Sequence, residues 1–183
     1  MTAPGTTAPA KIDMSKPSLW LVVLRVLVGL WFLKALWTKL DVALLGGFFP
    51  FLEVEPRWIA AMPTLVAKQA AENPILWYKA FLEQTVLPHS VLFAQLTAWG
   101  EALVGLSLTF GSIAGLGALG GLILSLNYGL ATWHMSPASQ GFHYMLVSVM
   151  FVLFMARAGR AWGIDAWIAW RWPGSLLSRR PFS

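Results

Sequence analysis

The chain has 183 residues, 57% hydrophobic and 11% charged, with a mean hydropathy of +0.65. Soluble domains carry roughly twice that charge, about 25%, so the composition excludes a disordered chain and argues against a water-soluble enzyme domain. There is no cysteine, hence no disulfide, iron–sulfur cluster, thiolate metal site or CxxC motif, and the net charge of +5 bears on membrane topology before it bears on nucleic acid.

Residues 1–17 are rich in Thr, Ala and Pro and are expected to form a disordered tail. An apolar stretch over residues 18–38, broken only by Arg25 and Lys34, is the first expected membrane span. The next apolar runs of spanning length cover 90–110, 113–133 and 140–157. Gly111-Ser112 and Met135–Gly141 are the only links between the last three, and such short links make antiparallel neighbours. The fold class expected is all-α: an integral membrane four-helix bundle with a long extracytoplasmic loop that contains interfacial helices. That loop, residues 40–89, holds an apolar turn at Gly46-Gly47-Phe48-Phe49-Pro50. An amphipathic helix interrupted by Pro63 follows over 57–73, then a stretch over 74–87 with Ile75, Leu76, Tyr78, Phe81, Leu82 and Val86 near a 3.6-residue period. It reads as a cap over the mouth of the bundle. The segment 159–183 sets Trp162, Trp167, Trp170 and Trp172 among arginines, the composition of an interfacial tail.

Four spans place both termini on one side. Lys11 and Lys16 precede the first span, and Arg157, Arg160, Arg171, Arg179 and Arg180 follow the last. By the positive-inside rule both termini are cytoplasmic, in a bacterial or archaeal inner membrane.

Between Gln84 and Ala156 the one formally charged residue is Glu101. It lies about 16 Å into the second span, where a carboxylate costs about 2.5–3.5 kcal/mol and must be protonated, paired or turned to a wet or ligand-filled cavity. Counting from the inner span ends puts Arg25 at a similar depth, so an Arg25–Glu101 pair is the expected partnership, as a site or as a brace. Lys39 is expected to snorkel to the interface. Lys34, one turn deeper, lines the interior or bends outward. Asn127 can bond across helices or to a ligand carbonyl. His89, His134 and His143 lie at one membrane side without a ligand spacing such as i, i+4. Gly111-x-x-x-Gly115 and Gly117-x-x-x-Gly121 are close-packing signals, within the bundle or toward another subunit. No Walker loop, dinucleotide fingerprint, nucleophile elbow or HExxH motif is present.

Arg25-Val26-Leu27-Val28-Gly29-Leu30-Trp31-Phe32 followed by Lys39 resembles the first helix of DoxX-like membrane proteins. Asn73-Pro74-Ile75-Leu76-Trp77-Tyr78-Lys79-Ala80-Phe81-Leu82-Glu83, Gly100-Glu101-Ala102-Leu103-Val104-Gly105-Leu106, Leu126-Asn127-Tyr128 and Gly159-Arg160-Ala161-Trp162-Gly163-Ile164-Asp165 resemble the DoxD type, the small subunit of thiosulfate:quinone oxidoreductase. The resemblance covers roughly residues 19–165. It implies a four-helix membrane bundle, a quinone-linked redox activity exercised with a second subunit, and site residues at the polar positions within the spans: Glu101 and Arg25 as catalytic groups, with Asn127, Tyr128 and Lys34 around a bound quinone. Membrane lipids and other subunits are the expected partners. The alternative is a non-catalytic accessory subunit that stabilises a larger respiratory or photosynthetic complex. Small-solute transport finds less support, since the chain lacks an inverted repeat.

Overall fold

A computed structural model of the protein describes residues 17–45 and 48–182. Of the tail expected over 1–17, all but Pro17 falls outside the described residues, as do the two glycines of the apolar turn at 46–50. Among the described residues, four helices are long and apolar enough to cross a bilayer. The first is α1 (Pro17–Leu33) continued through the short α2 (Ala35–Thr38); the others are α5 (Ser90–Phe110), α6 (Ala114–Thr132) and α7 (Pro137–Met155). α1 packs along α5, α5 along α6 and α6 along α7.

The α1–α5 contact sets the register of the bundle. A Cβ added at Gly29 would stand 2.5 Å from Thr109 Oγ1 and 2.6 Å from Thr109 N, and one at Gly105 would stand 2.5 Å from Leu33 N. Backbones that close cannot separate without loss of packing, so Gly29 is locked level with Thr109 and Gly105 with Leu33. On α6, Gly117 faces Ser107 of α5, and Gly121 faces Met150 of α7 and Val104 of α5. These glycines therefore serve the bundle interior. α7 begins at Pro137 rather than near residue 140. Proline suits the first helical position, and the Ser136 hydroxyl accepts from Ser139 N at 3.1 Å.

Segment 40–89 is folded, and it departs from the all-α expectation. β1 (Leu40–Leu45) and β2 (Phe49–Val54) form an antiparallel hairpin with Leu40 opposite Val54 and Leu45 opposite Phe49. Its root is buried, Leu40 and Val54 packing with Ala98 and Ala102 of α5. Its far end exposes Val42, Leu44, Phe48 and Phe49. Residues 42–52 carry no polar side chain, so the alternation that marks a half-buried strand is missing. α3 (Pro56–Ala71) runs unbroken through Pro63, where an interruption was expected; its packed face of Met62, Val66 and Ala70 outweighs the lost hydrogen bond. α4 (Leu76–Phe81) continues into a π-helical turn over Leu82–Val86, with Tyr78, Leu82 and Val86 buried at four-residue spacing. Asn73 binds this cap to the bundle: its Nδ2 donates to Leu130 O at 2.9 Å, and its Oδ1 accepts from Ile75 N at 3.0 Å.

At the opposite end, α8 (Ile164–Arg171) lies beyond a short turn at Ala158–Arg160. Trp162, Trp167, Trp170 and Trp172 are exposed along it. The two ends are called here the cap end and the tail end.

The register makes a direct prediction. Gly105→Ala should lower stability by about 1–3 kcal/mol through overpacking against the α1 backbone, read as thermal unfolding in detergent. Gly141→Ala, where nothing stands within 4 Å of the added Cβ, should not lower it.

Candidate functional site

The buried face of α5 carries Ala94, Ala98, Glu101, Ala102, Gly105 and Leu108. Small residues on this face let neighbouring helices close in around Glu101, which is 8% exposed. Lys39 Nζ stands 2.7 Å from Glu101 Oε1, and the Tyr128 hydroxyl of α6 donates to the same oxygen at 2.5 Å. The Lys39 ammonium also lies 4.2 Å from the Trp58 ring centre and 5.8 Å from that of Tyr128. Lys39 turns inward because its backbone is held. Its N–H donates to Ala35 O at 3.0 Å and its carbonyl accepts from Glu55 N at 2.9 Å, at the foot of the hairpin. The expectation that Lys39 snorkels outward is thereby corrected.

The expected Arg25–Glu101 pair does not form, and the α1–α5 register is the reason. With Gly29 level with Thr109 and Gly105 with Leu33, Arg25 comes level with position 113, about 12 residues or 18 Å along α5 from Glu101. Arg25 sits fully buried at the tail end instead, where Nη1 donates to Ala158 O at 2.7 Å and Ala161 O at 3.0 Å. Beside it the buried Asp165 accepts from Ile113 N at 2.7 Å and Ala114 N at 2.9 Å, capping α6. Burial pushes the Asp165 carboxyl up from its ordinary range, against the pull of those two N–H groups and of the Arg25 and Arg160 charges. This cluster fastens the C-terminal segment to the α5–α6 turn.

Glu101 opens onto a cavity of about 330 Å³, the central cavity, which is lined by all four spans and reaches Thr38 and Lys39 at the cap end. Trp31, Phe32, Phe142 and Leu146 form its apolar walls; Lys34, Thr38, Lys39, Glu101 and Tyr128 supply the polar groups. Trp31 of α1 and Phe142 of α7 meet with ring centres 5.5 Å apart. The Lys34 ammonium lies 4.2 Å from the Trp31 ring centre. Among the described residues, Glu101 Oε2 accepts no hydrogen bond, so one carboxylate oxygen is held and the other is available to an occupant.

Three expected site residues, Glu101, Tyr128 and Lys34, thus share one cavity; Arg25 and Asn127 do not join them. Asn127 Nδ2 donates to Ile123 O of its own helix at 2.9 Å, and the backbone carbonyl of Asn127 accepts from the Tyr78 hydroxyl at 3.0 Å. Burial pushes that hydroxyl up to about 12, so it stays a donor at neutral pH. Asn127 lines a second cavity, of about 200 Å³, on the other side of Tyr128. Lys39 is the residue that sequence reasoning missed. The available signal was an intramembrane carboxylate with a lysine just past the end of the neighbouring span. No three His, Cys, Asp or Glu side chains converge on a common point among the described residues.

A family model described as TQO small subunit DoxD matches residues 64–174, more than half of the 183. The chain belongs to the DoxD family. No curated protein and no solved structure matches it. The DoxD match spans Glu101 and Tyr128 but stops short of α1 and the hairpin, and so of Lys34 and Lys39. Family and spans together make this DoxD-family chain a multi-pass membrane protein.

Lys39→Met should destabilise the protein by about 3–5 kcal/mol, because it strands a buried carboxylate. Adding Glu101→Gln should recover much of that loss, and a double-mutant cycle on detergent unfolding reads the difference as a coupling energy.

Proposed function

We propose that this DoxD-family protein is the membrane subunit of a quinone-linked redox complex, and that the central cavity takes the quinone head group. One observation carries the reading: a buried carboxylate, ammonium and phenol meet in a cavity whose remaining lining is aromatic and aliphatic apart from Lys34 and Thr38. Ligand sites are of this kind, roughly 300–1,000 Å³, mostly apolar, with few and fixed polar groups. The residues fit a planar, weakly polar ring with two oxygen acceptors. Trp31 and Phe142 supply aromatic surface for the ring.

A bound quinone would supply the two-electron acceptor. Lys34 would hold it by donating from Nζ to a quinone oxygen. Glu101 holds and exchanges a proton through Oε2, while Lys39 and Tyr128 fix the carboxyl through Oε1. Trp31 and Phe142 exclude water from the contact. The family description supports a sulfur oxyanion such as thiosulfate as the electron donor, oxidised on a partner subunit. The Lys and Arg excess near the termini supports a cytoplasmic tail end and an extracytoplasmic cap in a bacterial or archaeal inner membrane.

A second reading, an accessory subunit of a larger membrane complex, is favoured by the apolar hairpin end, where Phe48 and Phe49 stand exposed without a partner surface. Its mark is association at fixed stoichiometry that persists without quinone or donor.

The test is saturable quenching of Trp31 fluorescence by decylubiquinone in the purified chain, with Trp31→Phe as the control. Lys34→Met should weaken binding about tenfold, the worth of one charge-assisted hydrogen bond. Glu101→Gln should bind normally yet lose at least about 100-fold in quinone reduction by the assembled complex. Quenching that never saturates would refute the quinone site.

A further inference from the structure

Trp31, Lys34 and Thr38 of the first span and Phe142 of α7 line the central cavity beside Glu101 and Tyr128. A carboxyl that exchanges protons with an occupant there needs a route to water. The second cavity lies across Tyr128, and Tyr128 lines both. Met62, Val66 and Gln69 of α3 and Tyr78 of α4 line it from the cap, outside the spans. Most of its lining is apolar, and Gln69, Tyr78, Thr97, Asn127 and Tyr128 are the polar residues along it. Its roughly 200 Å³ has space for about six waters at about 30 Å³ each. The Tyr128 hydroxyl donates to Glu101 Oε1 at 2.5 Å. Lys39 and Lys34, the cations facing Glu101, line the central cavity and not the second one; Tyr78 is the titratable group facing Tyr128 from the cap.

We propose that Tyr128 is a proton relay between Glu101 and the second cavity, so that the site exchanges protons with the cap side of the membrane. This deepens the reading of Glu101 as the proton-exchanging group of the proposed quinone site. The step moves protons alone. The Tyr128 O–H bond breaks as an O–H bond forms on Glu101 Oε1, and water in the second cavity returns a proton to the phenol oxygen. Rotation of the carboxyl then carries that proton to the oxygen facing the central cavity, where Glu101 releases it, and the phenol turns its new O–H back toward the carboxylate, so the relay turns over once per proton delivered. Tyr128 acts through Glu101 and is a positioning and relay residue.

The test needs neither quinone nor partner. The full chain in liposomes is given an acid pH jump, and proton uptake by Glu101 is timed from its carboxylic C=O infrared band, assigned by its disappearance in Glu101→Gln. Tyr128→Phe should slow uptake about tenfold or more. Thr97→Leu should slow it as well. It narrows the second cavity and leaves the Tyr128 hydroxyl in place, and the Thr97 hydroxyl donates only to Phe93 O and Ala94 O of its own helix. Wild-type rates in both variants would overturn the relay. So would a Tyr128→Phe change confined to the titration midpoint with a wild-type rate in Thr97→Leu, the signature of a merely structural hydroxyl. A chain that passes this test and fails to bind decylubiquinone keeps the relay and refutes the quinone; the converse result refutes the relay alone.

Discussion

One carboxylate, placed 11 residues into an apolar helix, constrains the cap end of this protein. Glu101 cannot be left bare in a bilayer, and its cation comes from outside the spans. Lys39 reaches it because the chain leaves α2 and enters a hairpin at once, with Glu55 N closing on the Lys39 carbonyl and the hairpin root wedged on Ala98 and Ala102. The close α1–α5 contact at Gly29 and Gly105 brings the two chains within reach. Hairpin, glycines and small α5 face act together, and their common product is an ammonium held 2.7 Å from a carboxylate.

The two ends of the bundle bury charge by different means. At the tail end, Arg25 donates to backbone carbonyls and Asp165 accepts backbone N–H groups. Charges bound to main chain are spent on the fold. At the cap end the partners of Glu101 are side chains, they leave one carboxylate oxygen available, and they face a cavity. Groups arranged in this second way keep freedom to exchange a proton or bind a ligand, which is why the central cavity rather than the Arg25 cluster carries the functional reading.

Much of this was legible in the residues and some was not. The four spans follow from hydropathy and length alone. That Glu101 needs a partner follows from its depth, and Tyr128 and Lys34 line its cavity. The identity of the partner depends on helix register, set by two glycine contacts at 2.5 Å. Depth counted from nominal span ends contains no helix register, and depth alone points to Arg25. The hairpin escaped because a strand with apolar residues on both faces has no period to detect, and a proline inside α3 looked like a break because its buried face was invisible to local pattern.

The cap on α6 has a temporal side. The first N–H groups of that helix are received by a carboxylate 51 and 52 residues further along the chain. Until Asp165 has been synthesised, the start of α6 has no such acceptor, although α6 and α7 precede it in translation. A segment that leaves the ribosome after α7 is thus the one that seals the turn between the second and third spans, and the tail end can close only once all four spans have been synthesised.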